Sequence, residues 1–140
     1  MIHHVILRII AKVLIPVIML FALYVQFHGD YGPGGGFQAG VIFASALILY
    51  ALVFGLDDAM AVAPPGVLKA LSSVGVLIYA AVGVETLVLG GNYLDYDVLA
   101  DAPRAGQHLG ILLVEFGVGV TVASVMLLIF FAFAGRPDNR

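Results

Sequence analysis

Four long apolar segments follow one another along the chain. They cover residues 5–27, 37–56, 67–89 and 109–133, and none of them shows the alternation of apolar and polar positions that is typical of β-strands. A helix of about 20 residues at 1.5 Å per residue crosses a hydrocarbon core of roughly 30 Å. The pattern therefore predicts an all-α, polytopic membrane protein with a bundle of four transmembrane helices.

The connections between these segments are short. They comprise residues 28–36, residues 57–66 and residues 90–108, and none has room for a soluble domain. We therefore expect a single membrane domain over residues 1–140. Arg8 and Lys12 precede an uncharged apolar run over residues 13–25, as in a signal peptide, but no small-residue cleavage site follows, so we expect a retained helix.

Composition narrows the function classes. Hydrophobic residues make up 62% of the chain and charged residues 11%, against about 45–50% and 25% in soluble domains. The net charge of -3 and the absence of like-charge runs argue against nucleic-acid binding. The chain has no Cys, its His residues lack metal-ligand spacing, and it shows no catalytic signature. We expect no metal, no cofactor and no enzymatic activity.

Basic residues favour one orientation in the membrane. With the N-terminus in the cytoplasm, the inner segments contain five basic residues and the outer segments contain Arg104 alone; the inner ones are Arg8, Lys12, Lys69, Arg136 and Arg140. Because loops rich in Lys and Arg stay on the cytoplasmic side, we predict that both termini are cytoplasmic.

A glycine-rich turn joins the first two segments. Its candidate functional or close-packing residues are His28, Asp30, Pro33, Gly34, Gly35, Gly36, Phe37, Gln38 and Gly40. Glycine permits close backbone approach, and bare N–H groups beside a helix start can bind an anion or a partner's carboxylate. The alternative is a plain connecting loop, although three consecutive glycines are entropically costly for that purpose.

Two carboxylates lie inside apolar segments. Glu85 and Glu115 each fall roughly 8 Å below the predicted outer boundary at 1.5 Å per residue. An ionised carboxylate there needs a polar cavity or a cationic partner, or it becomes protonated. This requirement suits a proton or cation path, but it also suits a structural ion pair with a neighbouring subunit. His108, at the outer mouth above Glu115, could feed a relay or simply be hydrated.

Small residues form stripes on three of the predicted helices. At 100° per residue, Gly110, Gly117 and Thr121 share one face of the fourth segment, and Glu115 falls on the opposite face. The second segment repeats the pattern with Gly36, Gly40 and Ala44, and the third has a similar stripe. Such stripes let helices approach closely in lipid. We expect them to hold the bundle together and to leave the acid faces for a cavity or another subunit.

Several of these features together resemble the MnhB/MrpB subunits of Mrp-type multi-subunit cation/proton antiporters. The resemblance rests on the basic first turn from Arg8 to Lys12, on Pro16, on the stretch from Tyr24 to Gly29, and above all on the glycine-rich turn from Pro33 through Gln38 followed by Gly40. It covers nearly the whole chain. Homologous domains also occur in complex I-related membrane hydrogenases, so the parent complex stays open.

The resemblance implies a subunit of a sodium/proton antiporter in the cytoplasmic membrane of a bacterium or archaeon. Its partners would be the lipid bilayer and the A, C, D, E, F and G types of antiporter subunit, and the transported species would be Na⁺ and H⁺. Within that complex the chain would contribute to the ion path through Glu85, Glu115 and His108, and to assembly. The alternatives are a purely structural scaffold subunit or a membrane-arm subunit of a hydrogenase.

Overall fold

The computed structural model describes residues 2–29 and 34–137, and these residues form helices and connecting loops without strands. The helices are α1 (Ile2–His28), α2 (Gly36–Phe54), α3 (Leu56–Val62), α4 (Pro65–Val88) and α5 (Pro103–Ala134). A short 3-10 helix, Tyr96–Leu99, lies between α4 and α5. The predicted all-α class is confirmed.

Four of these helices are long and apolar enough to cross a membrane: α1, α2, α4 and α5. They coincide with the four predicted segments. The structure differs in the connections, because α3 occupies much of residues 57–66 and α5 begins at Pro103 rather than near residue 109. Proline suits the first turn of a helix, where its missing N–H costs nothing, and both α4 and α5 begin with one.

The long helices pack in the order α1, α2, α5, α4, with α5 between α2 and α4. We call the end where α1 finishes and α2 begins the glycine-loop end, and the opposite end the α3 end. Both α4 and α1 finish at the glycine-loop end, where α5 begins. This arrangement makes α5 the central helix of the molecule.

Close backbone contact joins α2 to α5. A β-carbon placed on Gly40 would lie 2.7 Å from the carbonyl oxygen of Gly119, and Ala44 is fully buried. Larger side chains would force the two helices apart, so the predicted stripe of small residues on α2 is confirmed as a packing surface.

A second glycine contact joins α4 to α5. A β-carbon on Gly75 would lie 2.6 Å from the Gly117 carbonyl oxygen, and one on Gly117 would lie 2.8 Å from the Gly75 carbonyl oxygen. The Thr121 hydroxyl donates a hydrogen bond to the Gly117 carbonyl at 2.9 Å, so it leaves no unsatisfied donor in the interface. The face of α5 that carries the small residues Gly117 and Thr121 therefore packs against α4.

The connection from α4 to α5 folds back over the helix ends. The Leu94 amide donates to the Thr86 hydroxyl at 2.9 Å, and that hydroxyl donates to the Gly83 carbonyl at 2.8 Å. The Tyr96 ring packs against Gly110. Burial, reinforced by the neighbouring Tyr79, raises the pKa of the Tyr96 phenol above 10.0. The loop is thus tied to both α4 and α5.

Candidate functional site

The carboxylate of Glu115 lies against the glycine-rich turn. A β-carbon placed on Gly29 would lie 2.6 Å from Glu115 Oε2, and one placed on Gly35 would lie 2.7 Å from Glu115 Oε1. A β-carbon on Gly36 would overlap the Glu115 backbone carbonyl. Glycine at these three positions is what lets α5 and its carboxylate approach the turn so closely.

The helix start beside Glu115 favours negative charge. Helix α2 begins at Gly36, and its first N–H groups and helix dipole create positive potential there. The turn that was predicted to bind an anion or a partner's carboxylate therefore lies beside a carboxylate of this chain. By contrast, the prediction that the acid face of α5 stays open for a cavity or another subunit is wrong for Glu115, because α1 and α2 pack on that face.

The other candidate residues of the turn differ in their surroundings. His28 is the last residue of α1 and stacks on Tyr24, with ring centroids 5.1 Å apart. Gly34 has φ of 120°, which a side chain would strain. Phe37 and Gln38 are exposed, and a β-carbon placed on Gly35 would lie 3.8 Å from Gln38 Oε1. The predicted residues Asp30 and Pro33 lie outside the described residues.

His108 shares a face of α5 with Glu115. The two residues are seven positions apart, which is about two helical turns and roughly 10 Å along the axis. The His108 side chain is exposed, whereas Glu115 is half-buried.

Glu85 lies elsewhere. Its side chain is exposed on α4, three residues before that helix ends at Val88. Gly117 of α5 faces α4, and Glu115 is two residues, or 200°, away from it around the helix. The structure therefore does not bring the two predicted carboxylates together into one site.

Comparison with known proteins gives the family. Residues 6–128 match the sequence model described as "Domain related to MnhB subunit of Na+/H+ antiporter". A protein of Staphylococcus haemolyticus named as antiporter subunit mnhB2 is 34% identical over 136 residues, which cover 95% of this chain and 96% of the relative. Its namesake from Staphylococcus aureus strain Newman is 31% identical with the same coverage. The chain belongs to the MnhB family.

The matched region of this MnhB chain contains every candidate site residue, from His28 to Glu115. MnhB proteins are antiporter subunits, so the family places this chain among transport proteins, and its four apolar helices make it a multi-pass membrane protein. The described residues contain no cluster of three or more His, Asp or Glu side chains that could hold a metal ion.

Gln26 is a buried polar residue that the sequence pattern of the MnhB chain did not indicate as a candidate site residue. Gln26 is only 6% exposed, and within the described part of the chain its Nε2 atom has no hydrogen-bond partner. A β-carbon on Gly119 would lie 2.6 Å from Gln26 Oε1, so the amide reaches α5. The available signal was an amide near the end of an otherwise apolar segment, although sequence alone does not give the side of α1 on which it lies.

Proposed function

We propose that this MnhB chain is the B-type subunit of a multi-subunit antiporter that exchanges sodium ions for protons. The observation that carries the proposal is the family match over residues 6–128, supported by relatives that share nearly the full length of the chain. Those relatives are named as antiporter subunits, which favours an antiporter over a related hydrogenase.

Within that complex, Glu115 and His108 would form part of the ion or proton path at the glycine-loop end. Glu115 is half-buried, so its carboxylate can contact both the protein interior and water at that end. His108 is exposed two turns nearer the start of α5, and an imidazole ring can both accept and donate a proton. The helix start at Gly36 would favour the charged carboxylate that a cation or proton path requires.

Glu85 would face a neighbouring subunit. Its side chain is exposed on an apolar helix, and a charged side chain facing hydrocarbon costs several kcal/mol. A polar or cationic surface of another subunit, or a water path between the two, would remove that cost. Glu85 would therefore line the ion path from a different side than Glu115.

A scaffold role is the second candidate function. The contact of the Glu115 carboxylate with Gly29 and Gly35 is also what a structural latch between α5 and the turn would look like. In that case the acid would hold the helices in place and would contribute nothing to transport.

The proposed partners are the A, C, D, E, F and G types of antiporter subunit, and the proposed location is the cytoplasmic membrane of a bacterium or archaeon. Exposed apolar side chains cover α1, including Val13, Leu20 and Phe27, and suit contact with lipid or with such subunits. The described basic residues of α1, α4 and the segment after α5 lie toward the α3 end, which supports placing that end in the cytoplasm; they are Arg8, Lys12, Lys69 and Arg136.

Sodium/proton antiport in everted membrane vesicles tests the proposal. Vesicles would contain the complete complex with Glu85→Gln, Glu115→Gln or, as a charge-neutral control, Asp58→Asn on the exposed surface of α3. Native gels would establish that each variant assembles. We expect antiport with either Glu variant to fall near the level of vesicles that lack the complex, while the control keeps normal activity.

Two other outcomes would change the conclusion. If the Glu115→Gln complex fails to assemble, Glu115 is a structural latch and the scaffold function holds. If both Glu variants assemble and transport normally, neither acid belongs to the ion path.

A further inference from the structure

Two cations of α1, Arg8 and Lys12, lie over the same aromatic ring at the α3 end of the bundle. The Arg8 guanidinium carbon is 5.7 Å from the centroid of the Phe54 ring, and the Lys12 Nζ atom is 5.9 Å from it. The two residues are four positions apart, so they lie on the same side of α1. This side of α1 therefore carries two positive charges where α2 ends.

The level of these cations in the membrane follows from the length of α2. That helix has 19 residues and no charged side chain, so it is about 28 Å long, close to the roughly 30 Å of a hydrocarbon core. Its last residue, Phe54, thus marks the boundary between the hydrocarbon and the head groups. Because Arg8 and Lys12 lie over the Phe54 ring, they are at this boundary, beside the layer that contains the lipid phosphates.

The chain supplies these two cations with little negative charge. Within the described residues neither forms an ion pair, and the Phe54 ring is the partner that the structure gives to both. An aromatic ring attracts a cation through its quadrupole but does not neutralise it. The end of α2 adds only about half a negative charge. The exposed residues Asp57 and Asp58 belong to the first turn of α3, where they stabilise that helix instead.

A recess beside Arg8 has room for an anion. Its volume is about 290 Å³, and it lies between the start of α1 and Val53 of α2. Arg8 and His4 belong to its wall, and both side chains are exposed. A guanidinium carries five N–H donors in a planar fork that matches phosphate oxygens, and an imidazole carries at least one N–H donor. The recess therefore favours an oxyanion such as a phosphate group.

Apolar side chains next to the cations favour a lipid as the source of that phosphate. Ile9, Pro16 and Leu20 are exposed and fall within about 40° of one another around α1. We call these three residues the apolar strip; it starts beside Arg8 and runs about 17 Å toward the opposite end of the helix. A hydrocarbon chain attached to the phosphate would cover the strip, whereas inorganic phosphate would leave it bare. A zwitterionic head group would bring a cation of its own, so an anionic lipid compensates the charge better.

We propose that Arg8 and Lys12, together with His4, bind the phosphodiester group of an anionic phospholipid whose acyl chain lies along the apolar strip. Basic pockets at this level of a membrane protein suit such head groups. The site requires only that α1 lies in a membrane, as its length and apolar composition indicate. It goes beyond the proposed transport function and does not depend on it.

Photo-crosslinking of the complete complex in nanodiscs tests this site. Two probes carry the same acyl chain with a diazirine near its start, one on phosphatidylglycerol and one on phosphatidylcholine, and mass spectrometry maps their adducts. At equal mole fractions, we expect the anionic probe to label Ile9 about five- to tenfold more than the zwitterionic probe. A double variant, Arg8→Gln with Lys12→Gln, should bring this ratio to about one, whereas Arg8→Lys with Lys12→Arg keeps both charges and should retain it.

Matched controls accompany the double variant. Lys69→Gln removes a cation of α4 at the same end of the bundle and should leave the ratio at Ile9 unchanged. Leu77, which is exposed on α4 far from these cations in the chain, serves as the reference for the two probes in every sample. If the double variant fails to assemble on a native gel, Lys12→Gln alone should lower the ratio about two- to threefold.

Four results would overturn the proposal. Equal labelling of wild type by both probes would show no preference for an anionic lipid, and a preference that survives in the assembled double variant would come from other residues. If neither probe labels Ile9, a neighbouring subunit covers the cations. If excess inorganic phosphate abolishes the preference while potassium chloride of equal ionic strength does not, the site takes a free anion. Antiport is not measured, so none of these results bears on the transport function.

Discussion

At the scale of single residues, the ionised carboxylate of Glu115 is energetically unfavourable inside a membrane unless its surroundings stabilise the charge. A helix N-terminus contributes about 0.3–2 kcal/mol to a nearby negative charge, less than the several kcal/mol that a fully buried charge costs in hydrocarbon. The half-buried position of Glu115 therefore matters as much as its contact with the turn, because a partly exposed charge costs less than a fully buried one.

Gly36 should be one of the least tolerant positions of the chain. In a Gly36→Val variant the new side chain would overlap the Glu115 backbone carbonyl, so α2 and α5 must separate. Overpacking of this kind costs about 1–3 kcal/mol or more. We expect a severalfold loss of assembled complex on a native gel. The control is Gly66→Val, because a β-carbon there meets nothing within 4 Å; equal loss in both variants would contradict the close approach.

At the scale of elements, α5 organises the molecule because each of its faces has a different partner. One face meets α4 through Gly117 and Thr121, and the other meets α1 and α2 through Glu115 and Gly119. A rotation of α5 by one residue would break both interfaces. The position of the Glu115 carboxylate is therefore fixed by helix packing as well as by its own contacts.

Thr86 should tie the α4–α5 connection to the bundle. Thr86→Val keeps the shape of this fully buried side chain but removes the acceptor of the Leu94 amide. Loss of one such hydrogen bond should speed hydrogen exchange of the residue 89–102 segment about three- to tenfold in the purified complex. Thr86→Ser, which keeps the hydroxyl, should exchange like wild type. Unchanged exchange in Thr86→Val would mean that other contacts of the loop, such as Tyr96 against Gly110 and Asp97 with Gln107, hold it without this hydrogen bond.

At the scale of the whole molecule, an even number of spans puts the two ends of the chain on the same side of the membrane. Arg8 and Lys12 of α1 both lie over the Phe54 ring, and Arg136 lies over the Phe133 ring, so these cations border the α3 end. The basic border predicts that this end is cytoplasmic.

Single-cysteine variants can test that orientation, because the chain contains no Cys of its own that would react with a thiol reagent. Asp101→Cys, in the connection to α5, should react with a membrane-impermeant maleimide in intact cells. Asp58→Cys, exposed on α3, should react only after the cells are permeabilised. The reverse pattern would place both termini outside and would reverse the direction assigned to the ion path.

The sequence by itself determined the four spans, the family and the small-residue face of α2, since these depend on local runs and on short spacings. It did not determine α3 or the early start of α5 at Pro103, because short helices and helix ends depend on what packs around them.

Only the tertiary structure decided that Glu115 meets Gly29 and Gly35, that Glu85 faces outward, and that Gln26 lines a cavity. The physical reason is that lipid solvates every apolar face of a transmembrane helix equally well. The rotation of each helix is therefore set by contacts between residues far apart in the chain, such as Gly36 and Glu115 or Gly75 and Gly117.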